Sequence, residues 1–258
     1  MDFALKSDIG RLRKLNEDYC GCYFKDDSNL SLFVLADGMG GHNAGEIASK
    51  ISVETILATA VSFINNNQTS LNETDIKALS IDAIKKANDQ VVALAKCNSA
   101  MQGMGTTIVT AALWDNHVCI AHVGDSRAYF ISNNTIWQLT VDHSYVEELV
   151  KRGIISREEA KYHPDRNMIT RAVGVEESVE VDVDVIDIGA GDAILLCSDG
   201  LTNLMEEQSI LEVFLKGKNA EEICNTLLAE ANQRGGHDNI TAIVIRKNTE
   251  NNLAEEKS

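Results

Sequence analysis

Two kinds of apolar pattern alternate along the chain. Dense short runs predict strands at residues 30–37 (LSLFVLAD), 108–114, 117–125, 127–132, 192–199 and 239–246, and strict alternation predicts another at 179–188. The run at 30–37 is apolar at almost every position, so it predicts a strand buried on both faces. Polar turns separate the three runs between 108 and 132, which predicts an antiparallel meander. Apolar residues recur at helical spacing over 44–64, 75–95 and 220–232. Strand groups with helices set between them predict an α+β fold rather than a doubly wound sheet. Residues 141–174 hold short helical patterns and the only proline, Pro164, and are expected to leave the sheets as an excursion. One domain is expected over 1–246, with a frayed tail at 247–258 where no apolar face exists.

Composition narrows the function. With 258 residues, 44% of them hydrophobic, one sizeable core is within reach. A net charge of -16 argues against nucleic acid and anionic membranes as partners, because both require a basic surface to displace counterions. No stretch has the basic start, apolar middle and small-residue cleavage site of a leader, and no uninterrupted apolar run approaches the ~18 residues of a membrane span. The expectation is a cytoplasmic protein. Six cysteines fall in apolar runs (Cys119, Cys197), helical patterns (Cys97, Cys224) or a C-x-C pair (Cys20, Cys22), and read as buried or incidental thiols.

Candidate chemistry sits where the apolar runs stop. VLADG ends at Asp37-Gly38, LLCSDG at Asp199-Gly200 and AHVGDS at Asp125-Ser126, while GGHDN places Asp238 just before the last strand. Any one Asp-Gly reads as a hairpin turn. Several carboxylates delivered to one rim would instead repel one another unless cations lay between them. Oxygen ligands without a Cys/His cluster point to a hard cation, Mg²⁺ or Mn²⁺. The glycines after Asp37 are not a nucleotide P-loop, since the required lysine and Ser/Thr are missing. DVDVID at 182–187 lacks the small polar partner of an aspartyl-nucleophile motif and reads as a half-exposed acidic strand. In SDIGRLRKLNED, Arg13 stands near Glu17 and Asp18. Two readings stand: an exposed ion-pair cluster, or a guanidinium that grips two phosphate oxygens.

With these motifs in order (SDIGRLRKLNED, FVLADGMGGHNAGEIAS, GMGTTIVTAAL, AHVGDSRAY, LTVDHS, NMITRAVG, LLCSDGLTN, GGHDNITAIVI), residues 5–246 resemble the PPM, or PP2C-like, metal-dependent protein Ser/Thr phosphatases of bacterial type. The resemblance implies a four-layer αββα sandwich with two central antiparallel sheets. It implies hydrolysis of phosphoserine and phosphothreonine by metal-activated water at a binuclear Mg²⁺ or Mn²⁺ centre. Asp37 (bridging), the Gly38 carbonyl, Asp199 and Asp238 would hold two tight ions, and Asp125 a third, weaker one. Arg13 would bind phosphate, Glu17 and Asp18 would hold metal-coordinated water, and 141–174 would be the flap. Phosphorylated Ser/Thr proteins would be the substrates and a Ser/Thr kinase the counterpart of what is expected to be a monomer. Where eukaryotic members carry histidine this chain has Met39, so the acid is open between His42 and metal-bound water, with a helix-capping role as the other reading of His42. A phosphoprotein-binding module of weak activity and a metabolite phosphatase are the rival readings.

Overall fold

A computed structural model describes residues 1–25, 28–40, 44–66 and 71–247. Eleven strands form two antiparallel sheets among these residues. The first sheet has the order β1 (Asp2–Asp8), β11 (Ile240–Arg246), β10 (Ala193–Cys197), β7 (Arg127–Ser132), β8 (Thr135–Gln138). The second runs β2 (Asp18–Tyr23), β3 (Ser31–Met39), β5 (Ile108–Trp114), β6 (His117–Val123), β9 (Asp182–Asp187), with the short β4 (Gly105–Thr106) paired to β3.

Side-chain alternation turns the two sheets into four layers. In β3, Phe33 and Leu35 point into a cluster shared with Ile194, Leu196, Ile243 and Ile245 of the first sheet, which is the centre of the sandwich. Leu32, Val34 and Ala36 of the same strand point the other way, onto α1 (Gly45–Asn66) and α2 (Glu73–Cys97). The first sheet does likewise. Leu195, Cys197, Ala242 and Val244 face α6 (Glu207–Lys216) and α7 (Ala220–Gln233). Helices on both outer faces explain why these antiparallel strands are apolar at consecutive positions.

Helix ends follow local chemistry. Asn72 accepts the Asp75 N–H and Asn219 the Glu222 N–H, satisfying donors that the first helical turns of α2 and α7 leave free. α1 is long and apolar enough to cross a membrane by length and composition, but its Val53, Ile56 and Ala60 belong to the core beneath it.

The meander expected over 108–132 is not what forms. β5 and β6 pair, but β7 leaves for the other sheet and pairs with β10. The intervening Gly124-Asp125-Ser126 is therefore a corner between sheets, not a hairpin. The excursion after β8 contains α3 (Tyr145–Lys151) and α4 (Arg157–Lys161), the latter opened by a Ser156/Glu159 capping box. Lys247 donates to the carbonyls of Asp115 and Ile188, and the remainder of the expected tail lies outside the described residues.

The layering predicts where truncation hurts. Ile243→Ala, in the fully buried sandwich centre, should cost about 2–5 kcal/mol in denaturant unfolding. Leu215→Ala, 54% exposed on α6, should change stability by less than about 0.5 kcal/mol.

Candidate metal and phosphate site

Strand register brings the carboxylates to one end of the sandwich. Asp18 lies directly across from Asp37 in the β2/β3 ladder. Asp199 follows the end of β10, and Asp238 precedes the start of β11, to which β10 is paired. Neither Asp-Gly is a hairpin turn: Asp37-Gly38 continues β3, and Asp199-Gly200 opens the one-turn α5 (Asp199–Thr202). Gly38 sits where no side chain fits, since a Cβ there would collide with the Gly45 and Glu17 carbonyls. The backbone around Asp37 is fixed as well. Its N–H donates to Thr107 Oγ1 at 3.1 Å, and its carbonyl accepts from the Thr107 N–H and Thr106 Oγ1, each at 2.8 Å.

Asp18 joins the two sheets. Its Oδ2 accepts from Ser198 Oγ at 2.8 Å and Thr241 Oγ1 at 2.6 Å, both on the opposite sheet's side of the site. Thr241 is in turn 2.7 Å from Ser7 Oγ, which accepts from Asn16 Nδ2. Asn239 secures the next layer: its Oδ1 accepts the Glu17 N–H at 2.8 Å, and its Nδ2 donates to the carbonyls of Ile9 and Leu15.

The charges at this rim oppose one another. Burial, then Asp18, Asp199, Asp125 and Asp238, hold the Asp37 carboxyl well above the usual range. Burial and Asp238 raise Asp199, against the opposing bonds from Asp37 and Asn203. Burial pushes Asp18 up to about 6 despite the hydroxyl bonds it accepts. Burial, with Asp199 and Asp142 next, pushes Asp125 up to about 8. Asp18 Oδ1 and Asp125 Oδ1 are buried without a hydrogen-bond partner among the described residues, and so is Glu46 Oε2 at the start of α1. Buried carboxylate oxygens without donors are costly, and hard divalent cations are what such a donor set fits.

Arg13 stands at the edge of the rim, 46% exposed, with Nη2 2.7 Å from Asp238 Oδ2 and Nη1 3.7 Å from Glu17 Oε2. It is thus an ion-pair partner, and its pairing lies within the site. Asp125 does not pair with Arg127, as a simple turn would have it. Arg127 takes Asp142 instead, with contacts of 2.6–3.1 Å. His42 lies outside the described residues.

Several residues of the site carry no local signal in the chain: Ser198, Thr241, Asn239, Thr107, Asn203 and Glu46. All but Asn203 and Glu46 act on partners remote in sequence. A second cluster, His122, His143 and Asp182, has donor atoms close enough for a metal. Arg171 already supplies its positive charge, donating to Asp182 Oδ1 at 2.6 Å. His143 Nδ1 accepts the Gly124 N–H, leaving Nε2 to carry the proton toward Asp182, and burial, then His122 and Arg171, lower this histidine to about 4.

Comparison with known proteins decides the family. The family model described as protein phosphatase 2C matches residues 11–231. The chain belongs to the protein phosphatase 2C family. Within that family it is 40% identical to the serine/threonine phosphatase stp of Listeria welshimeri over 248 residues, covering 96% of each chain. Stp1 of Staphylococcus aureus superposes with a TM-score of 0.88 at 36% identity, over 96% of both chains. The catalytic domain of the phosphatase PstP, solved with two manganese ions, superposes at 0.79 with 33% identity, covering 94% of this chain and 96% of that one. The fold is that of these phosphatases.

The raised carboxylates predict a metal-linked pH dependence. A folded pKa of about 6 for Asp18 and about 8 for Asp125, against ~3.9 unfolded, means the folded state binds more protons in that window. The associated stability is complete below ~pH 4 and is lost as pH rises through about 6 to 8. Melting in chelator should therefore show Tm falling over this range, with excess Mn²⁺ removing most of the decline. Parallel curves with and without Mn²⁺ would contradict the electrostatic account.

Proposed function

We propose that this family member is a serine/threonine protein phosphatase whose divalent ions are held by Asp37, the Gly38 carbonyl, Asp199 and Asp238, with Asp125 supporting a further ion. The observation that carries the assignment is the shared rim of mutually repelling carboxylates, with buried unpaired oxygens on Asp18 and Asp125. Mn²⁺ or Mg²⁺ bound there supplies charge neutralisation and lowers the pKa of water to the point where it can attack phosphorus.

The protein's own groups do the rest. Arg13 is half-exposed and reaches Asp238, so exchanging that partner for a phosphoryl group needs only side-chain motion. Its fork suits two phosphoryl oxygens and orients the ester for in-line displacement. Asp18, locked through one oxygen by Ser198 and Thr241, has its other oxygen unpaired among the described residues and would hold water carried by the ions, with Glu17 beside it. His42 is the candidate proton donor to the leaving hydroxyl. Residues 141–174, rooted through Asp142 on Arg127 and His143 on Gly124, form the flap beside the Asp125 corner.

The wider setting follows from chemistry. Phosphorylated Ser/Thr proteins are the substrates and a Ser/Thr kinase makes them. A net charge of -16 favours neither nucleic acid nor anionic membrane, and six free thiols suit a reducing cytoplasm. The protein acts there as a monomer. A binding-only module would have no physical need for the full carboxylate set.

Phosphoserine and phosphothreonine peptides should be hydrolysed with Mn²⁺ or Mg²⁺ and not in chelator; full turnover of metal-free protein would sink the proposal. Arg13→Ala removes a charged hydrogen bond of about 1.5–3 kcal/mol, so kcat/KM should fall on the order of 10- to 150-fold with metal content intact. Asp125→Ala should retain the two tight ions in calorimetric titration and lose most peptide turnover. Near-normal turnover would remove Asp125 from the site.

A further inference from the structure

The loop between β1 and β2 carries Arg13 in an unusual setting. Residues 11–15, Arg-Leu-Arg-Lys-Leu, are all exposed, with Leu12 at 67% and Leu15 at 42%. Three of the five are basic and none is acidic, in a chain with 39 acidic against 23 basic residues. Scattered exposed leucines need no explanation on a mobile loop. This loop is tied down on both sides. Asn239 Nδ2 donates to the carbonyls of Ile9 and Leu15, each at 3.0 Å, and the Arg11 N–H donates to the Gly236 carbonyl at 2.7 Å. Gly10 has φ +77°, and a Cβ there would collide with the Asp238 carbonyl. The exposed side chains thus stand on a backbone fastened to the segment that carries Asp238.

We propose that this loop selects substrates by the residues that flank the phosphoserine, favouring a peptide with an apolar and an acidic neighbour. The inference rests on the phosphatase reading and deepens it. Leu12 and Lys14 directly adjoin Arg13 in the chain. Successive residues of an extended peptide are only ~3.3 Å apart, so a phosphate held by Arg13 brings its neighbours within reach of both. An apolar neighbour gains burial against Leu12. A carboxylate neighbour gains the field of Lys14 and Arg11, where the acidic remainder of the surface would by itself attract basic peptides. The charge at this loop is opposite to that of the protein as a whole, and the preference follows the loop.

The test compares two phosphoserine peptides of equal length in Mn²⁺, one with Leu and Glu beside the phosphoserine and one with Ser and Lys, with p-nitrophenyl phosphate as a substrate that has no flanking residues. Wild type should favour the Leu/Glu peptide by about tenfold or more in kcat/KM, the scale of one apolar contact, and added salt should shrink the charge-dependent part. Leu12→Ser combined with Lys14→Glu should abolish or invert the preference between the two peptides, a ratio in which any change in phosphate attraction common to both cancels, and leave Tm unchanged. Equal rates on both peptides, a preference for the Lys peptide, or a preference that survives in the double variant would overturn the inference while p-nitrophenyl phosphate turnover leaves the phosphatase reading standing. Absence of turnover on all three substrates would overturn that reading and the inference with it.

Discussion

Mutual repulsion among buried carboxylates is the constraint around which this molecule is organised. Asp18, Asp37, Asp125, Asp199 and Asp238 come from both sheets, and the first four are each raised by burial and by neighbouring carboxylates. Among the described residues, cationic side chains reach only the edges of the group: Arg13 pairs with Asp238, and Arg127, near Asp125, is taken by Asp142. Such an arrangement opposes folding by itself. It becomes favourable when divalent ions bind the folded state and not the unfolded one, which ties stability and activity to the same event.

The rest of the fold is built to hold that rim in place. Apolar residues on both faces of each sheet produce three packed interfaces, so the strand ends do not shift independently. The polar chain from Asn16 through Ser7 and Thr241 to Asp18 then fastens one sheet to the other at the site itself. Only one oxygen of Asp18 is consumed in this way. The corner at Gly124-Asp125-Ser126 does a related task, since it is the point where the chain passes between sheets and where Arg127 and His143 anchor the following excursion.

Much of this was legible in the chain because the signals are local. Dense apolar runs marked β3, β5, β6, β7, β10 and β11, and the Asp residues at their ends marked the rim. The pattern predicts neither strands β1, β2, β4 and β8 nor helices α5 and α6. β1 and β2 are mostly half-buried and mix polar residues with apolar ones, and β8 is four residues at a sheet edge. The run through β7 read as a meander because local pattern shows where strands begin and end, not which sheet they join. Ser198, Thr241 and Asn239 were silent for the same reason: each is an ordinary polar residue whose role arises from partners across the fold. Asp-Gly was ambiguous because the same pair serves a turn, a strand end or a helix start.

Unfolding of Asp37→Asn at pH 8 in chelator, beside wild type, tests the electrostatic constraint most directly, because the substitution removes one ionisable carboxyl from the crowded rim at nearly constant volume. If repulsion dominates, the variant is more stable than wild type without metal, and Mn²⁺ stabilises it far less. A variant that is less stable than wild type in chelator, yet gains as much from Mn²⁺, would contradict the account.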